Sequence, residues 1–537
     1  MTDEHVCTLL FPPNWASCVN GPHLALPLLA GVGREAGWRV ECCDLTAEFC
    51  RAYCSPPAAN RLCRAISGND YAQVDALYFD WEDQFQSISG GFEHALDFRL
   101  LSGYLLRRFR DLPLARVVNE LKDGTIHSPF LRQHVVPRLA ASRPEIVGVT
   151  IASEHQVVPA IEVLQLVREV LPESYVLLGG NVVTRLRDST AFAVLRSLAD
   201  GVVVFQGELA FQTVLDYISE MGVKRARQEL PGVMGHESIP VESWPTPSFD
   251  GLDLRGYVGI SALPYVSTRG CYWGRCSFCA IPMGWSQMGY AGSAPAEFVV
   301  KQLVRMGEET GVPRFKFVDE AMPPAKARRL GRLLSGVGSI EWEAYARLEP
   351  AWEEPTLLHE AAAGGLRKLY FGLEQAPSTD RLVLNKNDRG NITRIMRNCR
   401  EAGVKVHAFC MVGYPGTGRA DALATASFLV DHADVIDTAD LVGFRLERGK
   451  AVPGTRPNPT REVDWRVSVP FVPTEMGVLC CEEVQELEGE CQELLWERAP
   501  RLLHPLYRVV SPWGPDGLPA AMGSTVHSSQ DVYATDR

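Results

Sequence analysis

The chain has 537 residues, enough for two or three domains, and its 46% hydrophobic and 22% charged content is ordinary for a globular protein. A net charge of −12 with no long basic run argues against a nucleic-acid partner. The opening MTDEHVCTLLFPPNW is acidic where a signal peptide is basic, and no stretch approaches the ~18–20 apolar residues that span a bilayer, so a soluble cytoplasmic protein is expected, its 15 Cys being reduced thiols or metal ligands.

The predicted elements begin with a strand over Val6–Pro13, a helix over Leu24–Gly37 and a strand over Arg39–Leu45. Residues from about 46 to 140 read as a helical insertion that holds Cys50, Cys54 and Cys63; the spacing of these three favours plain buried thiols over a second cluster. Alternation resumes with the continuous apolar strand Glu145–Ser153, a helix over Val157–Val170 and, within Ser174–Thr184, a strand ending in Gly179-Gly180. A strand, a Gly207-Glu208 turn and a helix then cover Gly201–Ile218. This pattern predicts an α/β, Rossmann-like doubly wound domain over 1–227, with a ligand at the carboxyl ends of its strands. No GxGxxG fingerprint is present, which argues against an ordinary NAD site. The Pro- and Gly-rich stretch 228–262 reads as a linker.

From 263 to 447 six β/α units follow, with strands expected at Tyr265–Gly270, Arg314–Glu320, Ile340–Arg347, Lys368–Glu374, Lys405–Gly413 and Asp440–Glu447. Six units are too few for a closed eight-stranded barrel, so a partial (β/α)6 barrel is expected, with its chemistry at the carboxyl ends of the strands. Cys271, Glu320, Arg347, Glu374 and Gly413 all fall at such ends. A loop and a helical extension over 448–510 and a polar, disordered tail over 511–537 complete the expected architecture.

The segment STRGCYWGRCSFCAIP places Cys271, Cys276 and Cys279 within nine residues. Three thiolates so close can hold three irons of a [4Fe–4S] cluster and leave the fourth open to a small chelator. Three buried thiols, or a zinc site short of one ligand, are the alternatives. The next Cys is Cys399 and the next His is His359, so a zinc ion would have no fourth ligand nearby in sequence.

The RGCYWGRCSFC loop, followed by FVDE, FGLE and GYPGTG in that order, resembles the radical S-adenosylmethionine (SAM) enzymes. The segments LLFPP, GPHLALPLLAGVGREAG, VGVTIAS, VLLGGNVV and FQGELAF resemble the cobalamin-binding domain of the B12-dependent branch of that superfamily. One departure is that four residues, Tyr272–Arg275, separate the first two cysteines where three are common. The resemblance implies a cluster on Cys271, Cys276 and Cys279, with SAM on its open iron. Phe278 would lie by the adenine, Asp319 and Glu320 by the SAM ammonium, Arg347 on its carboxylate, Glu374 on the ribose and Gly413 beside the adenine. Pro22, His23, Ser153, Glu154, Gly179, Gly180, Asn181 and Gly207 would line cobalamin. The D-x-H-x-x-G motif of other B12 proteins is absent, which implies cobalamin without a protein His on cobalt, His23 and His155 being the residues to check. The implied activity is methylation of an unactivated carbon in a natural product or peptide, through a 5′-deoxyadenosyl radical and methylcobalamin. A rearrangement, ring contraction or cyclisation without methyl transfer is the alternative. An electron donor such as a flavodoxin or ferredoxin is the implied partner.

Overall fold

The computed structural model describes residues 5–13, 21–53, 108–121, 124–254, 262–338, 340–377 and 390–503. Cys54, Cys63, the side chain of Cys50, most of the helical insertion and the polar tail lie outside the described residues.

The first sheet contains β1 (Val6–Phe11), β2 (Arg39–Asp44), β3 (Ile146–Thr150), β4 (Tyr175–Gly179), β5 (Gly201–Val203) and β6 (Val233–Met234). Its order is β2-β1-β3-β4-β5-β6, and every pairing is parallel. Side chains alternate across a strand, so two apolar layers result. Leu9, Ile146 and Leu177 face α1 (Ala25–Glu35), while Leu10, Val147 and Val176 join the core formed with α3 (Val157–Val170). Between them lies α2 (Leu45–Tyr53), which opens the insertion. After β4 come the short α4 (Asn181–Arg185) and α5 (Thr190–Leu198); α6 (Glu208–Glu229) then returns to the α1 side. The chain leaves β1 in one direction toward β2 and in the other toward β3, which makes the β1/β3 edge the topological switch point. The strand β6 lies inside the stretch that reads as linker, because two residues are too few for a periodicity to show.

The second sheet runs in sequential order: β7 (Leu263–Tyr265), β10 (Arg314–Phe317), β11 (Glu341–Arg347), β12 (Leu366–Glu374), β13 (Lys405–Val412) and β14 (Thr438–Gly443), all parallel. Between successive strands lie α7 (Ala296–Thr310), α8 (Pro324–Leu334), α9 (Pro355–Ala363), α10 (Ile392–Glu401) and α11 (Arg419–Asp431). This is the six-unit parallel arrangement the sequence implies. Its first strand differs. Only Leu263–Tyr265 pairs in the sheet, because Ser267 is drawn aside: its N–H and hydroxyl both donate to Asp319, at 2.6 and 2.5 Å. The following β8 (Thr268–Gly270) pairs instead antiparallel with β9 (Tyr290–Ser293). The cysteine segment is thus the loop of a two-stranded ribbon. Gly270, at φ +81°, has no room for a side chain, since a Cβ there would stand 2.1 Å from the Gly289 carbonyl oxygen.

After β14 the chain forms two small antiparallel ribbons, β15 (Leu446–Glu447) with β17 (Ser468–Val469) and β16 (Thr455–Pro457) with β18 (Phe471–Pro473), before α12 (Cys481–Arg498). The extension is fastened to the first domain. Trp465 is fully buried and donates to the Leu112 carbonyl at 2.8 Å. Asp464 accepts from Leu114 N at 2.9 Å and from Thr190 Oγ1 at 2.8 Å.

Candidate active site

Cys271, Cys276 and Cys279 are all partly exposed. The Cys271 N–H donates to Gly289 O at 3.1 Å, and the Cys279 N–H to Cys276 O at 3.3 Å. The four residues between the first two cysteines have definite partners. The Tyr272 hydroxyl donates to Glu349 at 2.7 Å; Glu349 in turn accepts from Arg347 at 3.1 Å. The Arg347 guanidinium lies 4.1 Å from the Trp273 ring centroid, and Gly274 turns the chain at φ +61°. The additional residue therefore brings a Tyr and a Trp onto the Arg347–Glu349 pair at the end of β11. The other side of the loop meets β13: Ser277 Oγ and the Tyr414 hydroxyl are 2.7 Å apart, and Phe278 packs edge-on to Tyr414 at 6.3 Å.

The remaining rim residues take different positions. Arg347 keeps Nε and Nη1 buried without a hydrogen-bond partner among the described residues. Glu374 ends β12 in the left-handed region at φ +62°, where the pairing with β13 shifts register. Gly413 lies against α12, a Cβ on it falling 2.7 Å from Val484. Asp319 is buried, with Ser267 on both oxygens; burial holds its carboxyl above the ordinary range despite the nearby Lys326 ammonium. Glu320 faces the opposite way. It accepts from Trp285 Nε1 at 3.0 Å, and burial, reinforced by Asp319, lifts its pKa to about 7.

Glu320 belongs to a cavity of about 320 Å³ at the switch point of the first sheet. Its walls come from Leu9 of β1, Gly148 of β3, Gly179 of β4, Leu28 of α1 and Phe211 of α6. Gly284 and Trp285, from the same loop as the cysteines, close it from the second domain. His23, Gly179, Gly180, Asn181 and Gly207 line this cavity. Gly180 adopts φ +114°, and a Cβ there would meet the Ile151 carbonyl oxygen at 2.3 Å. Phe205, another lining residue, holds φ +59°, a strained value for a bulky side chain. His23 stacks on Phe11 at 4.8 Å, and its Nδ1 accepts from Ala25 N at 3.2 Å. Burial lowers its pKa to about 4, so the ring is neutral with its proton on Nε2.

Pro22, Ser153 and Glu154 are not among the lining residues. Ser153 caps the turn Glu154–Gln156. Glu154 accepts from Arg466 at 3.0 and 3.2 Å and from the N–H groups of Val467 and Ser468. Burial pushes its carboxyl up, and these donors outweigh burial and hold it below the ordinary range. His155 faces a second, outer cavity.

One residue that sequence reasoning missed joins the two domains. Arg269, fully buried in β8, donates to Glu208 at 2.6 Å and also to Gln206; its guanidinium sits 4.2 Å from the Trp244 ring centroid. It stands two positions before Cys271 and grips the turn that carries Gly207. Its partners lie more than 60 residues upstream, so no local pattern marks it.

No family model and no curated protein sequence matches the chain. Solved structures do. The radical SAM methyltransferase TsrM from Kitasatospora setae, with cobalamin and a [4Fe–4S] cluster bound, superposes with a TM-score of 0.59 at 14% identity over 99% of this chain and 100% of that one. TsrM with tryptophan substrate and the SAM analogue aza-SAM bound gives 0.54 at 14% identity over 98% and 99%. The chain has the fold of the cobalamin-dependent radical SAM enzymes. OxsB, a cobalamin-dependent radical SAM enzyme solved with aqua-cobalamin and SAM, gives 0.50 at 16% identity over 98% of this chain and 62% of that one. Among the described residues, no helix is long and apolar enough to cross a membrane.

Proposed function

We propose that the chain is a cobalamin-dependent radical SAM methyltransferase that transfers a methyl group from SAM, by way of cobalamin, to an unactivated carbon of a natural product or peptide. The observation that carries this reading is the double use of one loop. The segment with Cys271, Cys276 and Cys279 also supplies Gly284 and Trp285 to the wall of the switch-point cavity. A cluster on the one side and a corrin on the other would then share a boundary a few residues thick.

The residues present fit the three groups. Cys271, Cys276 and Cys279 lie in one loop as partly exposed thiols, and a cubane cluster takes one thiolate per iron. Arg347 has two buried donors without partners among the described residues, and a carboxylate is their natural acceptor. Cys271, Cys276 and Cys279 would hold the cluster. Arg347 would take the SAM carboxylate, Glu374 the ribose hydroxyls and Phe278 the adenine edge. Asp319, with both oxygens engaged by Ser267, acts as a positioning residue for the ribbon that carries the loop. The cavity lined by His23, Gly179, Gly180, Asn181 and Gly207 would take cobalamin, Gly180 letting the backbone approach closely. Neutral His23, accepting at Nδ1, would present an Nε2–H donor rather than a lone pair for cobalt. Glu320, protonated up to about pH 7, would be a second donor in that cavity. When bound, the cluster and SAM supply one-electron hydrogen abstraction, and cobalamin supplies methyl transfer. The protein would hold these groups in place, its cavity walls being largely apolar at Leu9, Leu28 and Phe211.

Anaerobically reconstituted protein given SAM, hydroxocobalamin and a low-potential reductant, such as a flavodoxin or ferredoxin system, should form both 5′-deoxyadenosine and, as the reduced cobalamin accepts a methyl group from SAM, S-adenosylhomocysteine. Alanine at Cys271, Cys276 or Cys279 should lose iron and deoxyadenosine while retaining cobalamin. Neither product from a protein with an intact cluster sinks the reading. Deoxyadenosine without S-adenosylhomocysteine would replace it with a rearrangement or cyclisation.

A further inference from the structure

The β8–β9 ribbon that carries the cysteine loop is held from two sides by consecutive residues of one strand. Successive side chains of a strand point to opposite faces. Arg269 reaches the first domain at Gln206 and Glu208, while Thr268 faces the barrel, where α8 begins. On that face one side chain does most of the holding. Lys326, in the first turn of α8, donates to the Ser267 carbonyl at 2.9 Å, to Thr268 Oγ1 at 3.1 Å and to Ser293 Oγ at 2.9 Å. An ammonium has three donors, and all three are used. Thr268 and Ser293 are register partners on β8 and β9, and their hydroxyl oxygens lie 2.9 Å apart. Lys326 thus ties both strands to α8 at a point close in sequence to Cys271.

The same β/α unit supplies a second grip. Asp319, just beyond β10, accepts from the N–H and the hydroxyl of Ser267 at 2.6 and 2.5 Å. The N–H, hydroxyl and carbonyl of Ser267 are therefore each engaged by Asp319 or Lys326. Burial costs both charged groups. It lowers the Lys326 pKa to about 8 against the pull of Asp319, and it raises that of Asp319 against the pull of Lys326. A packed hydrocarbon would avoid that cost, and buried ion pairs contribute little net stability. What the polar contacts add is direction, which apolar packing lacks. Direction matters here because the loop beyond Cys271 meets the Arg347 rim. The Arg347 guanidinium lies 4.1 Å from the Trp273 ring centroid, and Tyr272 donates to Glu349, which Arg347 also holds.

We propose that Lys326 is a positioning residue for SAM: by fixing the ribbon in one place, it sets the cysteine loop, and with it the open iron of the cluster, against the Arg347 guanidinium that takes the SAM carboxylate. Lys326 acts through Ser267, Thr268 and Ser293. This role rests on the reading of a cluster and SAM at that loop.

The test uses the full, anaerobically reconstituted chain, with SAM as the probe. Its readouts are iron content and the electron paramagnetic resonance spectrum of the reduced cluster. In the wild type SAM should change the spectrum, and titrating that change gives a dissociation constant. Lys326→Met keeps a side chain of similar length and loses the three donors. It should retain wild-type iron and bind SAM about 10-fold more weakly, the scale on which residues behind a metal site's ligands act, with a displaced SAM-bound spectrum. Ser293→Ala removes one acceptor on the far strand and should weaken SAM binding about 3-fold. Because Ser293 and Lys326 act as one contact, the double variant should be no weaker than Lys326→Met alone. Arg329→Met, which breaks an exposed pair from the same helix to Glu297 of α7, should match the wild type in iron and SAM affinity. Wild-type SAM affinity and spectrum in Lys326→Met, whatever its melting temperature, overturn the proposal. Additive losses in the double variant, or an equal loss in Arg329→Met, overturn it as well. If Lys326→Met fails to retain iron, Ser293→Ala decides, and unchanged SAM affinity there overturns the proposal. A wild-type chain that forms no reduced cluster, or whose cluster does not respond to SAM, sinks the cluster-and-SAM reading instead.

Discussion

The chain builds two sheets of six parallel strands and uses their faces in opposite ways. In the first, helices cover both faces, so β3 and β4 are buried almost throughout, by apolar side chains on either side. Such a sheet admits a ligand at its carboxyl edge, and here the cavity runs inward from the switch point, between the sheet face at Leu9 and Gly148 and the helices that carry Leu28 and Phe211. In the second, helices cover one face, where Phe315, Phe317, Trp342 and Phe371 pack. The other face carries Lys316, Glu343, Lys368, Tyr370 and His407. Lys316 lies 3.7 Å from Glu343, the Tyr370 hydroxyl donates to Glu343 at 3.1 Å, and Lys316 stands 4.5 Å from the Tyr370 ring centroid. The difference teaches where each half can hold a ligand: the first at a rim and the narrow space its small residues leave under α1 and α6, the second from an inner face upward to a rim.

Arg269 is where those two rims are held in register, so breaking it should have the largest effect on the fold. Arg269→Met leaves Glu208 as a buried carboxylate without its cation, at a cost of roughly 3–5 kcal/mol. The double variant Arg269→Met, Glu208→Gln removes both charges and should recover much of that. Urea unfolding midpoints check this. Equal losses in the single and double variants would mean that the pair does not couple the domains.

A smaller effect separates the two rims by pH. Glu320 comes from the barrel sheet but faces the cavity of the first sheet. Its folded pKa of about 7 lies above the ordinary 4.5. Between those values the folded chain keeps a proton that the unfolded chain has released, so this group costs nothing below about pH 4.5 and its full penalty applies above about pH 7. Glu320→Gln should flatten the fall in stability across that window, by roughly 1–3 kcal/mol at its upper end. Asp319 is raised as well, so part of the slope should survive. Identical slopes in wild type and variant would place the Glu320 carboxyl in water instead.

Much of this was legible in the sequence, for a reason tied to the same comparison. The continuous apolar run Glu145–Ser153 marked the doubly covered sheet, and six repeated strand–helix units marked the barrel sheet. Glycines at 179, 180 and 413 marked strand ends. What stayed hidden was orientation at those ends. Asp319 and Glu320 are neighbours in sequence and read as a pair on SAM. Ser267, 52 residues away, takes the one, and Trp285, 35 residues away, takes the other. Glu154 read as a cobalamin residue, yet it binds Arg466, 312 residues on. No local pattern carries such partners. The residues of the four-residue gap were visible too, but their role needed the Arg347–Glu349 pair at the end of another strand.

The smallest predicted effect concerns backbone strain, and it sharpens the contrast between an edge that is filled and a rim that acts. Glu374 sits at φ +62° beside a register shift, a conformation that costs an L residue about 1–2 kcal/mol and clusters at functional positions. In an ordinary strand, alanine is more stable than glycine by roughly 0.5–1 kcal/mol. Here the order should reverse. Glu374→Gly and Glu374→Ala both delete the carboxylate, so any partner it holds is lost equally, and only the Ala variant keeps the left-handed penalty. Glu374→Gly should therefore unfold at a higher temperature than Glu374→Ala, by a few degrees. If Glu374 takes the ribose, both variants should raise the KM for SAM by the same factor. Reversed stability with an unchanged KM would leave the strain real and remove Glu374 from the SAM site. The usual order, with alanine above glycine, would mean that the strand end relaxes once the carboxylate is gone, and that the carboxylate itself holds the backbone in place.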